Sequence, residues 1–267
     1  MLLKGALWSM AFPLWQGPDE EDHYAVIQYI AEIGALPDRD DTFLIDEIAR
    51  SRELADVGRL PYNPEQRQGF SPAAGSGQAP LGPNEGVFAE LPPETRSSFE
   101  LGFVGKLNKA TPLYYMMAVP VYWWSSEGDL LWRAQVQRLW AVLLGSPIVI
   151  VAYLISRVLF PTSEAMRLTL PTLVAFHPMI TEITAVISVE GFYFVCYSLL
   201  IYFCLLAFRD GFDRWKGVAI GVTFAVGVLV KPTLNGFAPL VALMVFVQAW
   251  RQRDEIWAVV KTAVLMN

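Results

Sequence analysis

An all-α, polytopic transmembrane fold carrying one long extramembrane loop is what this chain predicts, and three observations predict it. Hydrophobic residues fill 54% of the 267 positions and charged residues only 17%, where a soluble domain carries about a quarter charged. The apolar residues gather in separated runs of near-spanning length, and mean hydropathy is +0.37. The net charge of −6 is concentrated in one stretch rather than spread over the chain. No basic run supports nucleic-acid binding, so that class is excluded as a partner. Cys196 and Cys204 lie eight residues apart in one apolar run, too far along a helix for a disulfide, and read as packing residues.

The first run, 1–15, supplies about fourteen apolar positions around Lys4, whereas a span takes about twenty. It is a truncated first transmembrane helix. It has too little charge at its start and no small-residue cleavage site for a signal peptide. Directly after it comes Pro18-Asp19-Glu20-Glu21-Asp22-His23-Tyr24. Carboxylates this dense are costly beside hydrocarbon unless they face water or a ligand. Pro18 resists helix continuation, which puts the acids just outside the bilayer. From Asp22 the apolar spacing of Tyr24, Ile27, Tyr29, Ile30 and Ile33, ending at Gly34 and Pro37, predicts an interfacial helix near 22–34.

Residues 16–111 form one hydrophilic loop. Phe43, Leu44 and Ile48, with Asp46 and Glu47 between them, give its first part helical character. Residues 61–93 are rich in Pro, Gly, Ser and Asn and predict a poorly ordered excursion. The next apolar run, Pro112 to Trp124, covers only about 20 Å as a helix, short of the roughly 30 Å of hydrocarbon. Pro120 lies inside it, and Tyr and Trp, the residues of the interface, recur along it. A second interfacial helix near 112–124 follows. The loop region therefore extends over 16–132, and 133–267 is a helical transmembrane bundle, incomplete at its C-terminus because the chain stops inside an apolar run begun at Ile256. Within it the runs are 139–155, 168–187, 192–208, 217–230 and 237–250.

Charge orients these runs. With 112–124 on the surface, one set of connections carries Arg157 and Arg167, then Arg209, Arg214 and Lys216, then Arg251 and Arg253. The opposite set carries Glu190 and Lys231. The positive-inside rule places the first set in the cytoplasm, and so places Asp19, Glu190 and Lys231 on the outer face of the cytoplasmic membrane.

The candidate chemistry lies there. Asp19 and Glu20 suit a general base or cation ligands. Glu182, Val186 and Glu190 fall at i, i+4 and i+8, one stripe of a continuous helix, so both acids look into one cavity. Lys231, before Pro232, and Arg138, at the outer start of the second span, can each reach a lipid phosphate. The plainer reading of both cations is a snorkelling anchor. For His177, before Pro178, the plainer reading is packing.

In order and combination these motifs resemble the GT-C superfamily of membrane glycosyltransferases, among them the protein O-mannosyltransferases, the lipid A aminoarabinose transferases and many uncharacterised bacterial relatives. Their first outer loop opens with Pro-Asp-Glu-x-x-(His/Arg)-Tyr, matched by Pro18, Asp19, Glu20, His23 and Tyr24, and a Gly-x-(Leu/Ile)-Pro ending is similar to Gly34-Ala35-Leu36-Pro37. Thr111-Pro112-Leu113-Tyr114-Tyr115 stands where that family has a His-Pro-Pro-Leu-Tyr-Tyr-like motif, and Glu190 stands where it has Asp. The resemblance implies an enzyme moving a hexosyl or pentosyl sugar from a polyprenyl-phosphate donor to a lipid, glycan or protein acceptor at the outer membrane face. It implies Asp19 and Glu20 as catalytic residues, Lys231 and Arg138 as donor-phosphate ligands, and His23, Tyr24, Tyr114 and Glu190 as substrate contacts. A divalent cation on Asp19 and Glu20 is the one cofactor it leaves open. Two alternatives from other classes stand beside it: a transporter or lipid-flippase component, and a non-catalytic membrane scaffold.

Overall fold

The computed structural model of the protein describes residues 1–37, 43–54, 91–101 and 111–251. The described chain is helical apart from one small ribbon. Helix α1 (Leu2–Ala11) leads through a tight connector into α2 (Glu20–Ile33). Strand β1 (Phe43–Ile45), helix α3 (Asp46–Leu54) and strand β2 (Phe99–Leu101) follow. The strands pair antiparallel, with Leu44 opposite Glu100. Phe43 and Leu44 thus belong to a strand, and the helix expected around them starts only at Asp46, where two acids suit the first turn. Of the predicted excursion, 61–90 lies outside the described residues.

Helix α4 (Leu113–Ser125) has thirteen residues, about 20 Å of rise. It is one-sided in burial, not in composition. Tyr114, Ala118, Tyr122 and Ser125 are buried, while Met116, Trp123 and Trp124 stay exposed. The covered face packs on α2 and on α5 (Leu130–Gly145), and Asp129 caps α5 by accepting from the Trp132 amide. Pro120 sits on the uncovered side, where a missing amide hydrogen costs least.

The bundle continues with α6 (Ile148–Leu159), α7 (Glu164–Phe176), α8 (Pro178–Ala185), α9 (Glu190–Asp210), α10 (Arg214–Val230) and α11 (Ala238–Arg251). Among the described residues, two stretches are long and apolar enough to cross a membrane, 130–159 and 190–210. The run predicted over 168–187 is broken. Pro178 cannot supply the amide needed to continue α7, so α8 starts afresh, and Val186 is already extended. The Glu182–Val186–Glu190 stripe therefore does not exist, because Glu182 and Glu190 stand on different helices.

Helix α5 is the pillar of the structure, touching α1, α4, α8 and α9. The tightest approach is at Gly145 and Gly191: a Cβ on Gly145 would lie 2.6 Å from Thr184 Cγ2 and 3.3 Å from the Gly191 Cα. Small residues let three helices meet there, as membrane bundles require. At the other end of α5, Arg133 is fully buried and donates to both Glu47 oxygens, at 3.0 and 2.5 Å, and to the hydroxyls of Tyr24 and Tyr122. Gln28 adds a 2.8 Å bond to the same carboxylate. Arg96, in the short 3-10 turn Pro93–Arg96, donates to the carbonyls of Ser126 and Gly128. The loop elements are thereby tied to the pillar by charge-assisted hydrogen bonds.

Candidate functional site

The connector between α1 and α2 sets the site. It holds both non-glycine residues with positive φ among the described residues, Trp15 at 62° and Asp19 at 54°. Left-handed backbone costs an L-residue about 1–2 kcal/mol, and such strain persists only where surroundings impose it. Trp15 is held by its indole N–H, which donates to Ser51 Oγ at 2.9 Å, and by Tyr24 against its ring. Gly17 lets the connector lie on the 186–188 segment, since a Cβ there would come within 2.8 Å of Val186 Cγ1.

The four adjacent carboxylates have four fates. Asp19 is exposed, at the start of α2, and makes no capping bond with its own helix. Glu20 is fully buried: Oε1 accepts from Arg138 Nε at 2.7 Å and from the Ile187 amide at 3.1 Å, and Oε2 accepts from Arg138 Nη2 at 2.7 Å. Glu21 lies 3.7 Å from Arg52, and burial lifts its carboxyl to about 7. Asp22 is half-buried, near enough to Tyr115 for its charge to act on that phenol.

This corrects two expectations. Arg138 is not free for a lipid phosphate. Its five N–H donors go to the two Glu20 oxygens and to the carbonyls of Ser9, Phe12 (2.6 Å) and Pro13, and a guanidinium has five. Nor are both acids equally open to a cation: both Glu20 oxygens accept from Arg138 and the Glu20 side chain is fully buried, whereas Asp19 is exposed. Among the described residues no group of three or more His, Cys, Asp or Glu side chains is arranged to hold a metal ion.

What gathers beside Asp19 comes from four helices, α2, α4, α9 and α10. His23, on α2, is buried, and its Nδ1 lies 2.9 Å from the Tyr115 hydroxyl of α4. Burial first, and the Lys231 charge second, push the imidazole down to about 3, so it stays neutral. Burial likewise pushes the Tyr115 phenol up, and the charges of Asp22, Glu190 and Asp19 add to that. Lys231, at the C-cap of α10, pairs with Glu190 Oε1, and its ammonium stands 5.6 Å over the Tyr193 ring. Glu190 is the first residue of α9, where the helix N-terminus favours a carboxylate. The Lys231 and Glu190 side chains are 31% and 30% exposed, against 4% and 0% for Arg138 and Glu20. This pair is therefore open to a ligand, and the Arg138–Glu20 pair is closed.

Of the expected substrate contacts, the fold brings His23 and Glu190 to this cluster. Tyr114 lies under it, buried, with its hydroxyl near the Ser188 amide but not closing a hydrogen bond to it. Tyr24 turns the other way, into the core, where its hydroxyl accepts from Arg133 at 3.1 Å, so the substrate-contact expectation for it gives way to a packing role. Sequence reasoning missed Tyr115, Tyr193, Glu47 and Arg133. A signal for Arg133 was present: an arginine just inside a long apolar run needs a partner.

A family model described as dolichyl-phosphate-mannose-protein mannosyltransferase matches residues 132–266, half of the chain. That stretch contains Arg138, Glu190, Tyr193 and Lys231, while Asp19, His23 and Tyr115 precede it. No curated protein and no solved structure matches the chain.

Proposed function

The chain belongs to the dolichyl-phosphate-mannose-protein mannosyltransferase family, and from that premise we propose that it transfers a sugar from a polyprenyl-phosphate donor to an acceptor hydroxyl at the outer face of the cytoplasmic membrane. Membership itself makes it a membrane glycosyltransferase that uses a polyprenyl-phosphate-linked sugar. The observation that carries the finer reading is the gathering, from three elements around the His23–Tyr115 contact, of one exposed carboxylate, Asp19, the accessible cation Lys231 and the acid Glu190.

In this reading Asp19 takes the proton of the acceptor hydroxyl as its oxygen attacks the anomeric carbon. The bond from that carbon to the donor phosphate breaks, and its electron pair stays on the phosphate oxygen. Lys231 faces the charge that grows there, in surroundings where partial exclusion of water strengthens the effect. Glu20 and Arg138 touch neither substrate; they hold the connector so that Asp19 keeps its left-handed backbone. His23, neutral, fixes the Tyr115 hydroxyl beneath the reacting groups.

The outer-face assignment rests on charge and helix length. Helix α9 has 21 residues, about 31 Å, with Glu190 at one end and Arg209 at the other. Helix α10 returns from Arg214 to bring Lys231 onto Glu190. Multi-pass insertion with the basic turns in the cytoplasm follows from the positive-inside rule.

Asp19→Asn tests the catalytic role. It keeps size and removes basicity, and a positioned general base is worth about 10²- to 10⁴-fold in rate. We expect a loss of that order in sugar transfer measured in membranes, with insertion and thermal stability unchanged. Near-normal turnover in a folded Asp19→Asn variant defeats the assignment.

A further inference from the structure

We propose that Glu190 is the selectivity element of the phosphate site: it cancels the preference Lys231 alone would have for the more highly charged phosphomonoester left after transfer over the singly charged phosphodiester of the donor. The inference rests on the reading of Lys231 as the donor-phosphate contact and extends it to product release.

Two buried ion pairs among the described residues define the contrast. Glu20–Arg138 and Glu47–Arg133 are sealed from solvent and locked by two-pronged contacts. Lys231–Glu190 is a single contact between side chains that are each about one-third exposed. An ammonium holds a carboxylate as a point charge, without the fixed fork of a guanidinium. An incoming phosphate can therefore take the ammonium without dismantling a rigid network. Glu190 does not lose all its support on giving way. It remains at the N-terminus of α9, where its own amide donates from a turn closed by Ser188 Oγ at 3.1 Å, and a helix N-terminus stabilises a carboxylate.

Charge bookkeeping across the reaction supplies the selectivity. The donor is a phosphodiester carrying one negative charge. Transfer breaks the bond between the sugar carbon and the phosphate oxygen, and the acceptor proton passes to Asp19. The lipid product is then a phosphomonoester, which carries between one and a half and two negative charges because its second ionisation lies near pH 6. The added charge appears beside Glu190, and like charges at close range oppose binding. Lys231 alone would hold the product more tightly than the donor and stall turnover. With Glu190 at its side the preference is cancelled. The Tyr193 ring, 5.6 Å under the ammonium, keeps the cation in place while its anionic partner changes.

The experiment measures binding and not turnover, with farnesyl phosphate as the monoester probe and its O-methyl diester as the singly charged probe, on the full-length protein in detergent at pH 8. In the unaltered protein the two probes bind within a few-fold of one another. In Glu190→Gln the monoester gains about tenfold over the diester, the effect of one like charge removed from a partly exposed site. Glu190→Asp, which keeps the charge, retains the original ratio; a merely structural role for Glu190 would move both probes together. Equal changes for the two probes in Glu190→Gln, or a ratio in Glu190→Asp that matches Glu190→Gln, overturns the selectivity role. Lys231→Met separates the two levels: it weakens both probes if Lys231 is the phosphate contact, and unchanged binding of both defeats the donor-site reading itself, whatever Glu190 does.

Discussion

Arg138→Met is the substitution that most directly separates a structural arginine from a substrate ligand. It removes five hydrogen bonds at once, two to Glu20 and three to carbonyls at the end of α1. Glu20, fully buried, is left with the Ile187 amide and no counter-charge. Removing one partner of a buried pair costs about 3–5 kcal/mol, a large share of the roughly 5–15 kcal/mol that holds a typical domain. Much of that cost is the stranded charge. The double variant Arg138→Met with Glu20→Gln removes it and regains part of the stability. Arg138→Lys keeps the charge but offers three donors for five acceptors, and falls between the two. Thermal stability in detergent, followed by size-exclusion chromatography after heating, reads all four proteins. A fully stable Arg138→Met variant with a raised donor KM would refute the closed-pair reasoning and return Arg138 to the phosphate.

Two further outcomes follow from the same geometry. His23 is held neutral in the fold, with its protonation pushed down from 6.5 to about 3. A lowered folded value means stability present above about 6.5 and lost as pH falls from there toward 3, by up to about 5 kcal/mol. His23→Gln should flatten the acid limb of a thermal-stability profile between those limits, and an unchanged limb would show that another group sets it. On topology, an impermeant thiol reagent applied from outside should label a cysteine placed by Leu36→Cys, at the exposed end of α2, and not one placed by Arg214→Cys at the start of α10. Labelling of position 214 would invert the orientation.

Much of the fold is written locally. Apolar runs and prolines mark where helices start and stop, because a helix satisfies its own backbone and apolar surroundings punish misplaced charge. The thirteen-residue length of α4, the start of α9 at Glu190 and the end of α10 at Lys231 follow from such signals. The acidic stretch at 19–22 also announces itself as a candidate site, by its density beside an apolar segment.

Which of those acids is free is not written there. Asp19 and Glu20 are neighbours with the same chemistry, and no spacing rule tells them apart. The choice is made by Arg138, 118 residues further on, which α1 and α5 bring onto Glu20. It is made equally by the left-handed backbone at Asp19, which turns one acid outward as the other is buried. The same holds for Tyr24 against Tyr115, and for Glu182 against Glu190 once Pro178 has broken their helix. The sequence by itself determined most of the helices and the stretch that holds the candidate site, since those depend on residues within a turn or two of each other, but not the strand at Phe43–Ile45 or the break at Pro178. Only the tertiary structure decided the role of each charge, because burial and pairing are set by partners distant in the chain.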